Sequence, residues 1–263
     1  MINYLDALML GIIQGLTEWF PVSSSGHLVL YQELFTVNVP VLFDIYLHLG
    51  TLLVLFIFFW TDLVTIIRDV FQWNTTSKHF TLAKQLLLAT IVTAVIGFLF
   101  RPLFTSFFTN LLMVGFGFLF SGCLLLATKY TKHKRTTMKP RDTFSVGLFQ
   151  GLALIPGVSR SGATISIGLL HGIDRMTIAR FSFLLAIPAI LGAAIFESIT
   201  QLPTVLPFFI ANSGAVLIGV LASAVTGYIC LAALMNIIKK GNIHFFAIYC
   251  FIIGIITLGI AIL

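Results

Sequence analysis

Apolar residues run through this chain in long blocks separated by short polar connections. Six blocks reach the roughly 20 residues that an α-helix needs to cross a bilayer core: 41–60, 82–100, 110–128, 178–198, 207–235 and 243–263. The fourth contains Pro188 and the fifth Pro207, which neighbouring helices tolerate inside a membrane. Two further stretches, 4–36 and 143–171, are apolar but broken in the middle by PVSSSG and PGVSRSG. The segment 61–73 carries Val64, Ile67, Val70 and Phe71 on one stripe, with Arg68 and Asp69 outside it. That pattern predicts an interfacial helix.

Charge turns the blocks into a topology. Lys129, Lys132, Lys134, Arg135, Lys139 and Arg141 make their connection the strongest cytoplasmic loop. Arg68, Lys78 and Lys84, then Arg175 and Arg180, then Lys239 and Lys240 fall on the same side. Arg101 is the main basic residue of the opposite face. These signs agree only if each broken segment enters and returns, the first from outside and the second from inside, with both chain ends outside. The expected architecture is an all-α integral membrane protein with six transmembrane helices plus two re-entrant helical hairpins. No Lys or Arg precedes the first apolar run and no cleavage site follows it, so a cleaved signal peptide is not expected.

Composition agrees. Of 263 residues 59% are hydrophobic and 9% charged, against about 25% charged in a soluble domain. The net charge of +6 is gathered in connections, so membrane topology accounts for it and no nucleic-acid partner is expected. Cys123, Cys230 and Cys250 lie in apolar runs without metal-ligand spacing and read as packing or lipid-facing residues.

The two broken segments repeat. With an offset of 136, Gln14, Gly15 and Leu16 match Gln150, Gly151 and Leu152, and Val22, Ser23, Ser25 and Gly26 match Val158, Ser159, Ser161 and Gly162. A related span follows each. Because the copies insert in opposite senses, they form an inverted repeat within a single membrane domain, with halves of about 1–128 and 143–263 joined by the basic loop 129–142. In such proteins broken helices meet near the midplane and build the binding site.

Ionisable residues at membrane depth are costly and mark candidate chemistry. Glu18, His27 and Arg160 lie in or beside the breaks. Gln14 and Glu18 stand four apart on one helix face, where their oxygens suit a hard divalent cation completed by water and phosphate. Ser23, Ser24, Ser25, Gly26 and His27 open a new half-helix whose amides suit an anion. His27 follows Ser24 closely enough to share its face, permitting a hydroxyl nucleophile with an imidazole proton carrier. The same serines would equally cap a helix, with His27 a packed residue. In the second copy Arg160 can fork onto phosphate oxygens, and Ser159, Ser161, Gly162 and Thr164 supply donors or a close approach. A structural pair of Arg160 with Glu18 is compatible with either reading. His48, Asp44 and Tyr46 are placed at the outer end of the first span, lining an entrance. His79, His133, His171 and His244 are placed in or near loops, solvated.

Together these motifs resemble the undecaprenyl-diphosphate phosphatase family, often called the bacitracin-resistance family. The resemblance spans the chain and is carried by QGLTEWFPVSSSGH at 14–27, FDIYLHLGTLL at 43–53, PGVSRSGATI at 156–165 and FSFLLAIPAILGA at 181–193. It implies hydrolysis of undecaprenyl (long-chain polyprenyl) diphosphate to the monophosphate plus inorganic phosphate. That reaction, outside the cytoplasmic membrane, recycles the lipid carrier for cell-wall polymers and confers bacitracin resistance. By motif position Glu18 is the second acidic residue of an E/Q-xxx-E motif, Ser24 the proposed nucleophile, His27 the histidine after the glycine, and Arg160 the phosphate-binding arginine. Gln14 stands where many members have Glu, which removes one charge from the site expected to hold a divalent cation, Mg or Ca. A flippase that moves the carrier between leaflets is the alternative. Partners are the lipid substrate and membrane lipids; oligomeric state is not read from the sequence, a homodimer being one option.

Overall fold

The structure, a computed structural model, describes residues 2–131 and 135–262. His133, with Lys132 and Lys134, lies outside the described residues. Within them the chain is all-helical. The first break separates α1 (Tyr4–Trp19) from α2 (Ser24–Leu34), and the second separates α8 (Pro140–Leu152) from α9 (Arg160–Leu170). Between these hairpins run α3 (Val41–Phe58), α4 (Trp60–Phe71), α5 (Lys78–Leu99), α6 (Arg101–Phe107) and α7 (Leu111–Ala127). The second hairpin is followed by α10 (Arg175–Ala211), α11 (Ser213–Lys240) and α12 (Phe246–Ile262).

Among the described residues six helical stretches are long and apolar enough to span a bilayer: α3, α5, the run Leu111–Tyr130, α10, α11 and the run Ile243–Ile262. The protein is a multi-pass membrane protein. The broken segments fold as helix–turn–helix hairpins, a shape compatible with re-entrance. The expected boundary between the fourth and fifth spans is corrected. Pro203 and Pro207 lie inside α10, which continues to Ala211. The break comes at Asn212, whose side-chain amide donates to the Phe208 carbonyl (2.7 Å) while its Oδ1 accepts from Ile2 N–H (3.1 Å). Proline alone does not stop a helix that neighbouring helices surround. The short α6 was not expected. It starts just before Pro102, in a first turn that needs no N–H from that residue.

Packing is reciprocal. α1 lies chiefly on α11 and α8 on α5, while α3 meets α10 and α7 meets α12. Small residues permit the first contact: a Cβ on Gly11 would lie 2.2 Å from the Gly219 carbonyl oxygen, and one on Gly15 2.6 Å from that of Ser223. On the second, Thr93 of α5 donates to the Gly147 carbonyl of α8 at 3.0 Å.

The open ends of both hairpins are tied by an aspartate. Tyr31 donates to Asp6 (3.0 Å), and His171 and Arg135 reach Asp142 at 3.0 and 2.9 Å. His171 is therefore half-buried and paired, contrary to the solvated placement expected for it. His79 likewise approaches Asp69 at 3.4 Å. Asp69 sits outside the apolar stripe of α4, as expected, yet is only 5% exposed because it turns inward to accept from the Ser77 hydroxyl. Val64, Ile67, Val70 and Phe71 remain exposed, as an interfacial helix requires.

Candidate active site

The repeated motif builds the same local geometry twice. At the first break Ser23 caps α2, its hydroxyl accepting from Gly26 N–H (3.3 Å) and lying 3.3 Å from the Ser25 hydroxyl. At the second, Ser159 caps α9, accepting from Gly162 N–H (3.0 Å) and lying 3.3 Å from the Ser161 hydroxyl. A glycine three places after a serine cap leaves room for an anion to approach the N-terminal amides. The copies differ in backbone. Ser23 adopts a positive φ of 68°, a conformation that L-residues hold only against strain. In the second copy the left-handed position falls on Gly157 (φ 88°) instead.

The two breaks touch. The Ser161 hydroxyl donates to the Trp19 carbonyl (3.0 Å), and Arg160 Nη2 donates to Glu18 Oε1 (2.5 Å). The guanidinium also lies over the Trp19 ring, 5.8 Å from its centroid. Arg160 Nη1 is buried and has no hydrogen-bond partner among the described residues. An arginine fixed on one side by a carboxylate and below by an indole thus keeps one donor edge free beside two helix N-termini.

Glu18 is the hub. Its Oε2 accepts from the Ser24 hydroxyl (2.6 Å) and from Gln14 Nε2 (3.0 Å), and His48 Nε2 stands 3.4 Å away. Glu18 and Ser24 are 7% and 8% exposed, so the carboxylate is screened by protein rather than water. Ser24 therefore bonds to Glu18 and not to His27. His27 Nδ1 lies 2.7 Å from the Ser23 carbonyl; a carbonyl only accepts, so Nδ1 carries the hydrogen and Nε2 accepts from the Tyr249 hydroxyl at 2.7 Å. The imidazole stacks on Tyr249 and meets Phe118 edge-on.

The remaining candidates separate. Ser25 is half-buried at the start of α2. Thr164 sits one turn behind Arg160 with its hydroxyl engaged by Ser182 (2.6 Å) and the Arg160 carbonyl (2.8 Å), away from the cleft. Asp44 takes Gln32 at 2.9 Å and Tyr46 packs on Phe209, both apart from Glu18. Three residues join the site unannounced by the sequence, Trp19, Tyr249 and Ser121, whose oxygen accepts from Ser159 N–H (2.8 Å); His48, expected at an entrance, stands beside Glu18 instead. His48 carried a signal, since it shares a face with Asp44 and lies beside Thr51 in a span otherwise apolar.

A divalent cation can be weighed against these donors. Among the described residues no three His, Cys, Asp or Glu side chains converge as a metal site. The Gln14 Oε1, however, is buried beside the Glu18 carboxylate without a partner among the described residues. The set fits a hard cation only where phosphate and water oxygens complete it.

Comparison with known proteins identifies the family. Residues 7–256 match the model of bacitracin resistance protein BacA. A protein of Halothermothrix orenii named undecaprenyl-diphosphatase is 40% identical over 258 residues, 97% of this chain and 96% of the relative. One of Korarchaeum cryptofilum with the same name is 38% identical, with 97% and 98% covered, and one of Methanosphaera stadtmanae 36% identical, with 98% of each covered. Matched over nearly its whole length, the chain belongs to the bacitracin resistance protein BacA family.

Proposed function

We propose that this protein hydrolyses undecaprenyl diphosphate to the monophosphate and inorganic phosphate, with its site between the two hairpin breaks. The observation that carries the placement is the free Nη1 of Arg160, a buried cationic donor beside two helix N-termini. That arrangement favours a phosphate group over any neutral ligand. The relatives are named for hydrolysis of this diphosphate, and a flippase draws no support from them.

In the mechanism, the terminal phosphate lies across Arg160 and the N–H groups that open α2 and α9, which neutralise its oxygens. Such neutralisation is the main lever in phosphoryl transfer. Glu18 orients the Ser24 hydroxyl through their hydrogen bond and, beside it, can take the proton. Attack at the terminal phosphorus by Ser24, or by a water in its place, breaks the anhydride bond and releases the lipid monophosphate. On the covalent route water then cleaves the phosphoserine. His27 moves a proton to or from the reacting oxygens through Nε2, the nitrogen that Tyr249 now occupies. A divalent cation, Mg or Ca, held by Glu18 and Gln14 would add positive charge at the phosphate oxygens.

The same reading assigns orientation. Lys129, Arg175, Gly241 and His244 line one small cavity, so the basic connections gather at one end of the bundle. That end is cytoplasmic by charge, which puts both chain ends and the mouth of the site outside. The reciprocal packing supports two inverted halves, about 1–128 and 143–263.

Phosphate release by purified protein in detergent, with and without a chelator, tests reaction and metal together. Detergent has no leaflets, so turnover there is hydrolysis and not transport. Absence of phosphate release from the lipid diphosphate would sink the proposal, and release that a chelator leaves intact would remove the cation.

A further inference from the structure

Among the described residues five arginines are half-buried, and one differs from the rest. Arg101, Arg135, Arg160 and Arg180 each reach a carboxylate, of Glu197, Asp142, Glu18 and Asp62 respectively. Arg175, at the start of α10, reaches none among the described residues. Neither neighbouring helix end consumes it. Asp174 caps α10, its Oδ2 accepting from Met176 and Thr177 N–H at 3.1 Å. The last turn of α11 is closed by the chain itself, Gly241 N–H bonding to the Ile237 and Ile238 carbonyls and Asn242 N–H to that of Ile237. The guanidinium nonetheless lies against that turn, where a Cβ on Gly241 would be 2.2 Å from its Nη1. A charge held half-buried without a counter-charge is costly unless an anion meets it.

Arg175 lines the cavity of about 120 Å³ at the basic end of the bundle. Lys129 and His244 share the lining, and among the described residues no carboxylate does. Leu169, at the far end of α9 from Arg160, forms part of the wall, so this cavity is separate from the catalytic cleft. Its size excludes a nucleotide, since drug-sized ligands occupy about 300–1,000 Å³, and admits one compact anion. Exposed aromatic rings follow directly on two of its cations. The Lys129 amine lies 5.8 Å from the Tyr130 ring centroid, and the His244 ring lies 4.4 Å from that of Phe245. Aromatic side chains beside lysine at the end of a span mark headgroup depth, where basic pockets between helices hold anionic headgroups. We propose that this cavity is a second anion site, seating one phosphate group on Arg175 and Lys129. The group is carried by an anionic phospholipid of the cytoplasmic leaflet or is free phosphate. Because the walls come from α9, α10, α11 and the turns flanking α7 and α12, occupancy ties them together and is read as stability.

The unfolding temperature of the full chain in detergent is measured with added phosphatidylglycerol, phosphatidylcholine or inorganic phosphate at constant ionic strength. Phosphatidylglycerol in large excess is expected to raise it by about 5 °C more than phosphatidylcholine does, and Arg175→Gln to remove that increment. The quantity read is the part of each rise that Arg175→Gln loses, which leaves out any binding at Arg160. Loss of a phosphatidylglycerol increment supports a headgroup; loss of an inorganic phosphate increment alone supports free phosphate. Lys129→Gln, at an exposed position, should reduce the same increment and keeps the test open if Arg175→Gln folds poorly. Lys240→Gln takes one charge from the same end without lining the cavity and should keep the increment whole. Native mass spectrometry should count one phosphatidylglycerol fewer on Arg175→Gln than on the parent where a headgroup is the ligand. A rise that phosphatidylcholine matches would overturn the proposal. So would an increment that Lys240→Gln loses as fully as Arg175→Gln, or one that neither Arg175→Gln nor Lys129→Gln diminishes. The inference stands apart from the hydrolytic reading, because none of these measurements requires turnover.

Discussion

Arg160 Nη2 lies 2.5 Å from Glu18 Oε1, joining residues 142 positions apart across the two breaks. Both side chains are largely buried, 16% and 5% exposed, so neither tolerates losing the other. Removing one partner of a buried pair costs about 3–5 kcal/mol, whereas replacing both by neutral groups costs far less. Arg160→Ala is therefore expected to lower the unfolding temperature in detergent and to abolish phosphate release. The double variant Glu18→Gln with Arg160→Gln should regain most of the stability and none of the activity. Hydrolysis by Arg160→Ala at the parent's rate would remove Arg160 from the site.

Ser24 offers a cleaner separation of stability from chemistry. Its hydroxyl donates to Glu18 Oε2, which still accepts from Gln14 when the hydroxyl is gone, and α2 keeps its cap on Ser23. Ser24→Ala should thus leave the unfolding temperature almost unchanged. Turnover should fall roughly 100-fold or more, as for loss of a positioned proton-transfer partner. Substantial residual turnover would exclude an obligatory phosphoserine. A labelled phosphoprotein trapped in the parent and absent from the variant would establish one.

Much of this was legible in the chain, for physical reasons that also explain the rest. Long apolar blocks announce spans because a bilayer admits nothing else, and the QGL and serine-glycine matches announce two equivalent breaks. Periodicity does not say which partner a side chain finds. Ser24 and His27 share a helix face in sequence terms, yet Glu18 lies closer to Ser24 through the fold of the hairpin, and Tyr249, 222 residues away, takes His27. The sequence places His48 with Asp44 and Tyr46 at the outer end of its span, lining an entrance; only the packing of α3 beside α1 brings it to Glu18. Hydropathy places the polar residues between 198 and 207 outside both spans, yet α10 runs on through them, and the actual break rests on the side-chain amide of Asn212.

The connection between α4 and α5 predicts a pH response away from the site. The Ser77 hydroxyl donates to Asp69 and holds its carboxyl below the usual carboxylate range; partial burial opposes, and Arg68 and His79 add to the lowering. A carboxyl lowered in the folded state binds fewer protons there than in the unfolded chain. Its contribution is complete above the ordinary carboxylate pKa and is lost as pH falls through the folded value. Unfolding temperature measured from pH 7 downward should therefore drop in acid, below about pH 4. Ser77→Ala, which also removes the cap on His79 N–H (3.0 Å), should be less stable at neutral pH by about 1 kcal/mol. Its acid loss should be shallower than the parent's. Parallel curves for the two proteins would show that Asp69 does not carry this response.

The spacing of the two breaks depends on one missing methyl group. A Cβ on Gly26 would lie 2.6 Å from the tip of Phe118 and 2.8 Å from the Gly157 Cα. Gly157 is itself closely seated: its φ of 88° suits glycine, and a Cβ there would lie 2.1 Å from the Val114 carbonyl oxygen. Phe118 is fully buried and packs edge-on against His27, so its displacement moves the imidazole. Gly26→Ala is therefore expected to push the N-termini of α2 and α9 apart by a fraction of an ångström or more. The stability cost should be about 1–3 kcal/mol, as for an overpacked core. Phosphate release should suffer more, by about 100-fold, because misplacement on the scale of 1 Å is enough to lose alignment of donors and nucleophile. Gly192→Ala on α10, where an added Cβ meets nothing within 4 Å, serves as the control and should be neutral in both assays. Full activity in Gly26→Ala would mean that the separation of the two breaks is not what aligns Ser24 with Arg160.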